Sequence, residues 1–324
     1  MRSTIRLPVS ADFNKQDRAD PSDGPGRPPI GDALVRFGTS SWAYEGWQGL
    51  IYHRPYAKSR FSRECLSEYA AFQHEDRPLF DTVGIDHTFY RPATSSQLAS
   101  YAAQVPPTFH FCLKVWEELT IPAFARLPRY GSKAGSRNPR FLDADLFRDV
   151  VYEPARQGLG ETLGVFLFEF QRTGLTVEEL LRRLEPFLNR LPPGPRYAIE
   201  IRNPAVLGPR YRDLLAAYGV AHVYNHWSLM PDLASQHRSL GGRFSAPFIV
   251  ARLMTPLGLA HAEAVERFAP YNRLVLPQPR MRQDTVALIR QARSEHRTAY
   301  VLVNNRAEGN APMTIRQLVT LLKS

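Results

Sequence analysis

The chain alternates between short apolar runs and longer segments in which apolar side chains recur every three or four residues. Apolar runs of about four to eight residues, rich in Val, Ile and Phe, are typical of parallel strands that are buried on both faces. Eight such runs predict strands at Val35–Gly38, Thr82–Ile85, Phe109–Val115, Val165–Phe170, Tyr197–Ile201, Val220–Tyr224, Phe248–Leu253 and Ala299–Val303.

The segments between these runs have helical periodicity. Thr176 and Glu179 have the spacing of a capping box, and Ser95 is a predicted N-cap. Repeated strand–helix units predict a parallel sheet. The predicted helices are Glu64–Phe72, Ser95–Gln104, Leu146–Gln157, Val177–Leu188, Arg210–Ala217, Gln283–Arg293 and Ile315–Leu322.

Eight strands with intervening helices favour a (β/α)8 barrel of the TIM type over an open doubly wound sheet, which has fewer strands and usually a Gly-rich phosphate turn. The sequence contains no GxGxxG or Walker motif. Residues 1–33 are rich in Pro, Asp, Gly and Arg and have few periodic apolar positions, so they predict a flexible tail. We therefore expect a single α/β barrel domain at residues 34–324.

The chain carries 41 Lys and Arg against 31 Asp and Glu, a net charge of +10 that favours anionic partners. The first 34 residues contain five of each sign, so the excess belongs to the predicted barrel. No apolar run is long enough to cross a membrane, and the N-terminus lacks the apolar core of a secretory signal. Two cysteines, Cys65 and Cys112, cannot form a disulfide framework, and we expect a cytoplasmic protein.

Charged side chains fall on one face at the ends of several predicted strands. Because strand side chains alternate, the apolar face should meet the helices and the other face should point into the barrel. The carboxyl ends of barrel strands hold the functional groups of such folds. The inward face is predicted to hold Asp86 with Thr88 and Tyr90, Lys114 with His110 and Cys112, Glu169 with Gln171, Glu200 with Arg202, and Arg252.

These residue types suggest roles. Glu200 is the predicted general acid or base, since apolar walls can tune the proton affinity of a carboxylate. Lys114 suits an electrophile, an anion clamp or, if desolvated, an amine nucleophile. Arg202 and Arg252 suit bidentate binding of carboxylate or phosphate. The structural alternative is a compensated ion-pair network that includes Glu169 and closes the top of the barrel.

Other candidates lie in the connecting loops. Trp42 follows the first strand and is either a packing anchor or a stacking surface for a ligand, while Arg91 should lie at the rim. The long connection after the third strand is a basic loop that could clamp an anionic substrate or bind nucleic acid, or could simply be solvated. Its cations are Arg126, Arg129, Lys133, Arg137 and Arg140, against acidic Glu117 and Glu118 at its start.

No cofactor is predicted. A divalent metal is an alternative, because Asp86, Glu169 and Glu200 with one of His87, His222 or His226 could supply oxygen and nitrogen ligands. Neither an HExxH spacing nor a GxSxG elbow is present, and the neighbouring Lys and Arg would repel a dication.

Several motifs together resemble the YecE-like proteins, the domain-of-unknown-function family seventy-two. The resemblance implies a TIM-type barrel but no established reaction. It rests, from about residue 36 to the C-terminus, on Gly38-Thr39-Ser40-Ser41-Trp42, Trp47-Gln48-Gly49, Phe80 to Arg91, Phe109 to Lys114, Ala198 to Arg202, Asn304-Asn305 and Gly309 to Pro312.

The chain also departs from the family pattern near the predicted mouth of the barrel. Family members usually have Glu at the position of Gly84, Gln at that of Glu169 and Asp at that of Arg306, and they have a His soon after the position of Arg252. These substitutions indicate a divergent branch.

The first hypothesis for function is an enzyme, a hydrolase, isomerase or lyase, acting on a small anionic or phosphorylated molecule at the carboxyl mouth of the barrel. Asp86, Tyr90, Asn304 and Asn305 would then orient polar groups of the substrate. One alternative is a nucleic-acid-binding barrel that uses the basic loop. Another is a non-catalytic scaffold with a degenerate site, which Gly84 favours. The sequence gives no oligomeric state.

Overall fold

The computed structural model of the protein describes residues 35–172 and 174–324. The predicted tail at residues 1–33 lies outside this range. Within the described residues, no helix is long and apolar enough to span a bilayer.

Eight parallel strands close into a barrel in which each strand pairs with the next along the chain and the last pairs with the first. The predicted (β/α)8 barrel and all eight predicted strands are confirmed. The strands are β1 Val35–Thr39, β2 Thr82–Ile85, β3 His110–Lys114, β4 Leu163–Phe170, β5 Arg196–Ile201, β6 Ala221–His226, β7 Phe248–Leu253 and β8 Thr298–Val303. A small antiparallel pair, Gln73–His74 with Arg77–Pro78, lies between β1 and β2 in the chain.

Helices connect the strands, as predicted for repeated strand–helix units. The Thr176 capping box is present, whereas the predicted N-cap at Ser95 is wrong: Thr94 accepts the hydrogen bond from the Gln97 N–H, and Ser95 is the first helical residue. The helices are α1 Phe61–Glu64, α2 Leu66–Ala71, α3 Ser95–Ala102, α4 Ala144–Phe147, α5 Glu153–Leu159, α6 Val177–Asn189, α7 Pro209–Ala217, α8 Leu233–Ser239, α9 His261–Phe268, α10 Pro279–Ser294 and α11 Ala311–Lys323.

Two helices, α8 and α9, were not predicted from the sequence. They contain seven and eight residues and bury few apolar side chains, among them Leu233 in α8 and Ala264 and Phe268 in α9. Such short segments show little periodicity. A π-helical turn at Arg148–Tyr152 joins α4 to α5, where one continuous helix was expected.

The predicted alternation of strand side chains is confirmed. Outward residues such as Phe111, Phe168 and Ile199 join the large core between the barrel and its helices. Inward residues form a separate apolar layer within the barrel, which includes Cys112, Leu167, Ala198, Val250 and Leu302. The charged inward residues therefore lie above a dry layer, toward the carboxyl ends of the strands.

The structure corrects the prediction for the end of β2. The chain does not stay extended through Tyr90 but turns into a 3-10 helix at Asp86–Phe89. The Thr88 hydroxyl donates to backbone carbonyls of Ile85 and Lys114 at 2.6 and 2.7 Å, which fixes this turn against β3. Asp86 therefore stays at the mouth, while Tyr90 is 62% exposed.

Gly84, on the inward face of β2, lies against the backbone of Ser40, which directly follows β1. A Cβ at this position would lie 2.8 Å from the carbonyl oxygen of Ser40, closer than real Cβ contacts. Glycine removes that clash, so the missing carboxylate at position 84 has a steric reason in this chain.

Candidate functional site

Six charged side chains converge at the carboxyl end of the barrel and form what we call the charge cluster. The strands position them, because inward residues at the ends of parallel strands point into one mouth. They come from β3, β4, β5 and β7 and from the turns after β2 and β5. The members are Asp86, Lys114, Glu169, Glu200, Arg202 and Arg252.

Arg252 lies at the centre of the charge cluster. Glu169 and Glu200 are register partners on neighbouring strands, so two like charges point into the same interior. Arg252 Nη1 donates to Glu200 Oε2 and lies 3.4 Å from Glu169 Oε2. Its Nη2 lies 3.1 Å from Asp86 Oδ1. One guanidinium thus contacts all three carboxylates.

The other two cations complete the balance. Lys114 Nζ lies 2.7 Å from Glu169 Oε2, and Arg202 Nη2 lies 2.7 Å from the same oxygen. Arg202 Nε donates to Glu200 Oε1 at 3.0 Å. The side-chain amide of Gln171 donates to Glu169 Oε1. Three cations and three carboxylates therefore neutralise each other in a partly dry site, as a buried network requires.

These contacts determine the ionisation of Glu200. Burial raises its pKa, but Arg252, Arg202 and Lys114 outweigh burial and hold the pKa at about 2. Burial disfavours the charge on Arg252, but Glu200, Asp86 and Glu169 raise its pKa above the ordinary value. A carboxylate with these contacts stays charged at neutral pH. Glu200 is therefore not in the protonated form that a general acid needs at neutral pH.

Exposure differs sharply across the charge cluster. The side chains of Arg252 and Glu200 are fully buried, and that of Glu169 is 1% exposed. Lys114 and Arg202 are 10% and 11% exposed. The side chain of Asp86 is 31% exposed, so it is the member that solvent and a ligand reach most easily.

Two aromatic rings hold the cations at the edge of the cluster. Lys114 Nζ lies 3.8 Å from the centre of the Phe89 ring, and the Arg202 guanidinium lies 4.8 Å from that of Trp227. Cation–π contacts of this kind restrict a flexible cation. Sequence reasoning missed both rings, although Phe89 lies within the motif that follows β2.

The remaining predicted residues lie outside the cluster. Trp42 is buried, and its indole N–H donates to the Ser62 carbonyl at 3.0 Å, so it packs the loop after β1. Arg91 is exposed beside Tyr90. Asn304 caps the turn after β8 by accepting from the Arg306 N–H at 3.0 Å, and Asn305 Oδ1 accepts from Trp47 Nε1 at 3.2 Å.

Other residues at the mouth were not predicted as site residues. Tyr44 follows β1; burial and the Asp86 carboxylate raise its pKa to about 12, against the opposing effect of Arg306. His261 opens α9; burial, Arg306 and Arg202 lower its pKa. Both side chains are therefore neutral near pH 7. Loop residues follow no face alternation, so the sequence did not place Tyr44 or His261 at the mouth, and Arg306 was noted only as a departure from the family pattern.

The basic loop is partly neutralised by its own acids. Arg129 lies 2.9 Å from Glu117, Lys133 lies 2.7 Å from Glu118, and Arg140 lies 3.9 Å from the same Glu118. Arg126 and Arg137 are exposed and form no ion pair with any other residue that the structure describes. The loop therefore presents two free cations rather than five.

The described residues offer no cluster of metal ligands. Within residues 35–172 and 174–324, no three His, Cys, Asp and Glu side chains meet in a group that could hold a metal ion. At the mouth, each of the three carboxylates already contacts at least one Lys or Arg.

A cavity of about 380 Å³ opens at the other end of the barrel. It is lined by the first strand, by residues just before β2 and by the last turns of α10 and α11, including Phe37, Asp81, Arg293 and Leu322. None of the residues that line it belongs to the charge cluster. Functional groups of this fold lie at the carboxyl ends of the strands, so we place the candidate site at the cluster.

Fold and site together define a (β/α)8 barrel with a charge-balanced network of ion pairs at the carboxyl ends of its strands. The family model described as "Protein of unknown function DUF72" matches residues 36–324, and the chain belongs to this family, of which YecE-like is another name. The resemblance seen in the sequence is thereby confirmed. No curated protein matches the chain.

Solved structures of the same family are similar to this chain. A DUF72 family protein from Thermotoga maritima MSB8 is 16% identical, with 90% of this chain and 100% of that chain covered and a TM-score of 0.62. A DUF72 family protein from Enterococcus faecalis V583 is 15% identical, with 90% and 96% covered and a TM-score of 0.62. At these identities the likeness concerns the fold.

Proposed function

We propose that the protein is an enzyme that acts on a small anionic molecule at the carboxyl mouth of the barrel by acid/base chemistry. The observation that carries this proposal is the charge cluster, in which five nearly buried charges lie beneath one more exposed carboxylate, Asp86, which Arg252 contacts at the entrance.

A purely structural role explains the charge cluster less well. Replacing a buried ion-pair network with well-packed apolar residues is often neutral or stabilising, so such a network is weak evidence of a need for stability. Fixed charges in a water-poor site do, however, stabilise charge that develops during a reaction, because they need no reorganisation. The arrangement is therefore better suited to chemistry than to holding the barrel together.

The geometry suggests revised roles within the cluster. Asp86 is the general base, because its carboxylate is partly open to solvent and is oriented by Arg252 at 3.1 Å. Tyr44, kept protonated by its raised pKa, is a hydrogen-bond donor beside it. Lys114 and Arg202, each about one-tenth exposed, face the negative charge of the substrate. Glu169 and Glu200 position these cations.

The test is a turnover screen of the purified protein against phosphorylated and carboxylated small molecules, covering hydrolysis, isomerisation and elimination. For any substrate found, Asp86→Asn should lower kcat by about 10²–10⁴-fold, the usual contribution of a general base, with the fold intact by circular dichroism. Asp145→Asn is the matched control, because the ion pairs of this exposed carboxylate with described residues are those with Arg148 and Arg190 on the surface. Full activity of Asp86→Asn would contradict the assignment.

The nucleic-acid alternative is supported by the net charge of +10 and by the free cations Arg126 and Arg137. It predicts oligonucleotide binding that weakens steeply with salt and is reduced in the double variant Arg126→Gln, Arg137→Gln. Absence of binding to DNA and RNA at low salt would exclude it. Ligand binding without turnover in the screen would favour the scaffold alternative.

A further inference from the structure

The turn that follows β8 carries donors without acceptors. This 3-10 turn, Asn305–Ala307, is held by the capping Asn304 and by the Ala307 N–H bond to the Asn304 carbonyl. Within it, Arg306 Nε and Asn305 Nδ2 are both buried and have no hydrogen-bond partner among the described residues. Buried donors without acceptors are rare in folded proteins and cost stability.

Arg306 also lacks a counter-charge. The three cations of the charge cluster are matched by its three carboxylates, and the part of the chain that the structure describes provides no ion pair for Arg306. A half-buried guanidinium with a buried, unpaired Nε is a site for an added acceptor. Because a guanidinium presents its donors in a planar fork, that acceptor is best supplied by an oxyanion.

The position of Arg306 connects it with the candidate site. Strand β8 lies between β7 and β1 in the barrel, so the loops that follow these three strands are neighbours at the mouth. They carry Arg306, His261 and Tyr44, and helix α9, which begins at His261, packs against the turn that contains Arg306. The electrostatic effects of Arg306 on both His261 and Tyr44 agree with this arrangement.

From these observations we infer that Arg306 binds an oxyanion group of the substrate, phosphate or carboxylate, at a subsite beside Tyr44 and His261. The inference rests on the proposed function for the identity of the ligand as a substrate. The subsite itself is a binding property that can be measured without turnover. The neutral imidazole of His261, at the start of the helix that packs against this turn, adds a second donor.

Isothermal titration of the purified protein with inorganic phosphate and with malonate tests the subsite. We expect the wild-type protein to bind at least one of them and Arg306→Gln to weaken that binding by about tenfold or more, as loss of a charge-assisted contact should. Arg306→Lys, which keeps the charge and loses the fork, should weaken it less. Tighter binding of phosphate than of malonate identifies a phosphoryl ligand, and the reverse order identifies a carboxylate.

Arg316→Gln is the matched control, because Arg316 in α11 also has a buried Nε without a partner but packs on Phe72, away from the mouth. Unchanged phosphate or malonate binding in Arg306→Gln, an equal loss in Arg316→Gln, or no binding by the wild-type protein would overturn the inference. Loss of anion binding in Arg306→Gln without turnover of any compound would support the subsite and contradict the proposed enzymatic function. Turnover that depends on Asp86, together with unchanged anion binding in Arg306→Gln, would support the enzymatic function and contradict the subsite.

Discussion

The charge cluster and the basic loop contain the same kinds of side chain, but their surroundings give them different properties. In the cluster, burial raises the pKa of Glu200 but three nearby cations hold it at about 2. In the loop, burial raises the pKa of Glu117. Tyr130, Arg129 and Lys114 lower that pKa, but not enough to bring it back to its ordinary value. A single, half-exposed guanidinium therefore does not replace an enclosed set of cations.

This difference shows that counting ion pairs is a poor guide to what they do. Arg252 is fully buried, so its interactions are little screened by water, while Arg129 and Lys133 are 44% and 55% exposed. Exposed pairs contribute little to stability, whereas a buried charge that loses its partner is strongly unfavourable. The cluster should therefore be sensitive to substitution and the loop should be tolerant.

The largest effect is expected for Arg252→Met. The substitution removes the cation that contacts all three carboxylates and leaves Glu200 and Glu169 side by side, so the free energy of unfolding should fall by about 3–5 kcal/mol. Urea unfolding followed by circular dichroism measures it. Arg210→Met, which breaks the exposed pair with Glu178, is the matched control and should leave the free energy of unfolding almost unchanged. Equal losses in the two variants would contradict the distinction.

The next largest effect is expected in the pH dependence of stability, which should have opposite signs in Glu200→Gln and Glu117→Gln. Glu200 has a folded pKa near 2 against an ordinary value of 4.5, so it contributes stability above pH 4.5 that is lost as the pH falls toward 2. The deficit of Glu200→Gln relative to wild type should therefore shrink over that range. Glu117 has a raised folded pKa, so its contribution is present at low pH and is lost as the pH rises above 4.5.

For Glu117→Gln, stability relative to wild type should therefore improve as the pH rises from 4 to 7, the opposite trend to Glu200→Gln. Urea unfolding at a series of pH values between about 3 and 7 measures both variants against wild type. Parallel profiles for the two variants would show that cluster and loop carboxylates have similar environments.

The sequence was sufficient for the barrel because strand signals are local. β-branched and aromatic runs predicted β2 and β7 with their observed bounds, and the alternation of side chains predicted that Lys114, Glu200 and Arg252 share one interior. These predictions need only the pleat of a strand and the closure of the sheet.

The chemistry of the site was less predictable because it depends on contacts between distant residues. Glu200 and Arg252 are 52 positions apart, and their contact, which helps to keep the Glu200 carboxylate charged, is seen only once the chain is folded. Tyr44, His261 and Arg306 lie in loops or at a helix start, where no periodicity indicates a direction. The loop pairs of Glu117 and Glu118 likewise required the fold of the loop before they could be recognised.

The smallest effect is expected in the loop. Lys133 lies 2.7 Å from Glu118, but its side chain is 55% exposed, so Lys133→Gln should lower the free energy of unfolding by about 0.2–1 kcal/mol. Because salt screens exposed charges over about 10 Å at 0.1 M, the loss should shrink further in 1 M NaCl. Urea unfolding at about 0.05 M and 1 M NaCl measures both values. A salt-independent loss as large as that of Arg252→Met would place the loop pair in the same desolvated environment as the charge cluster.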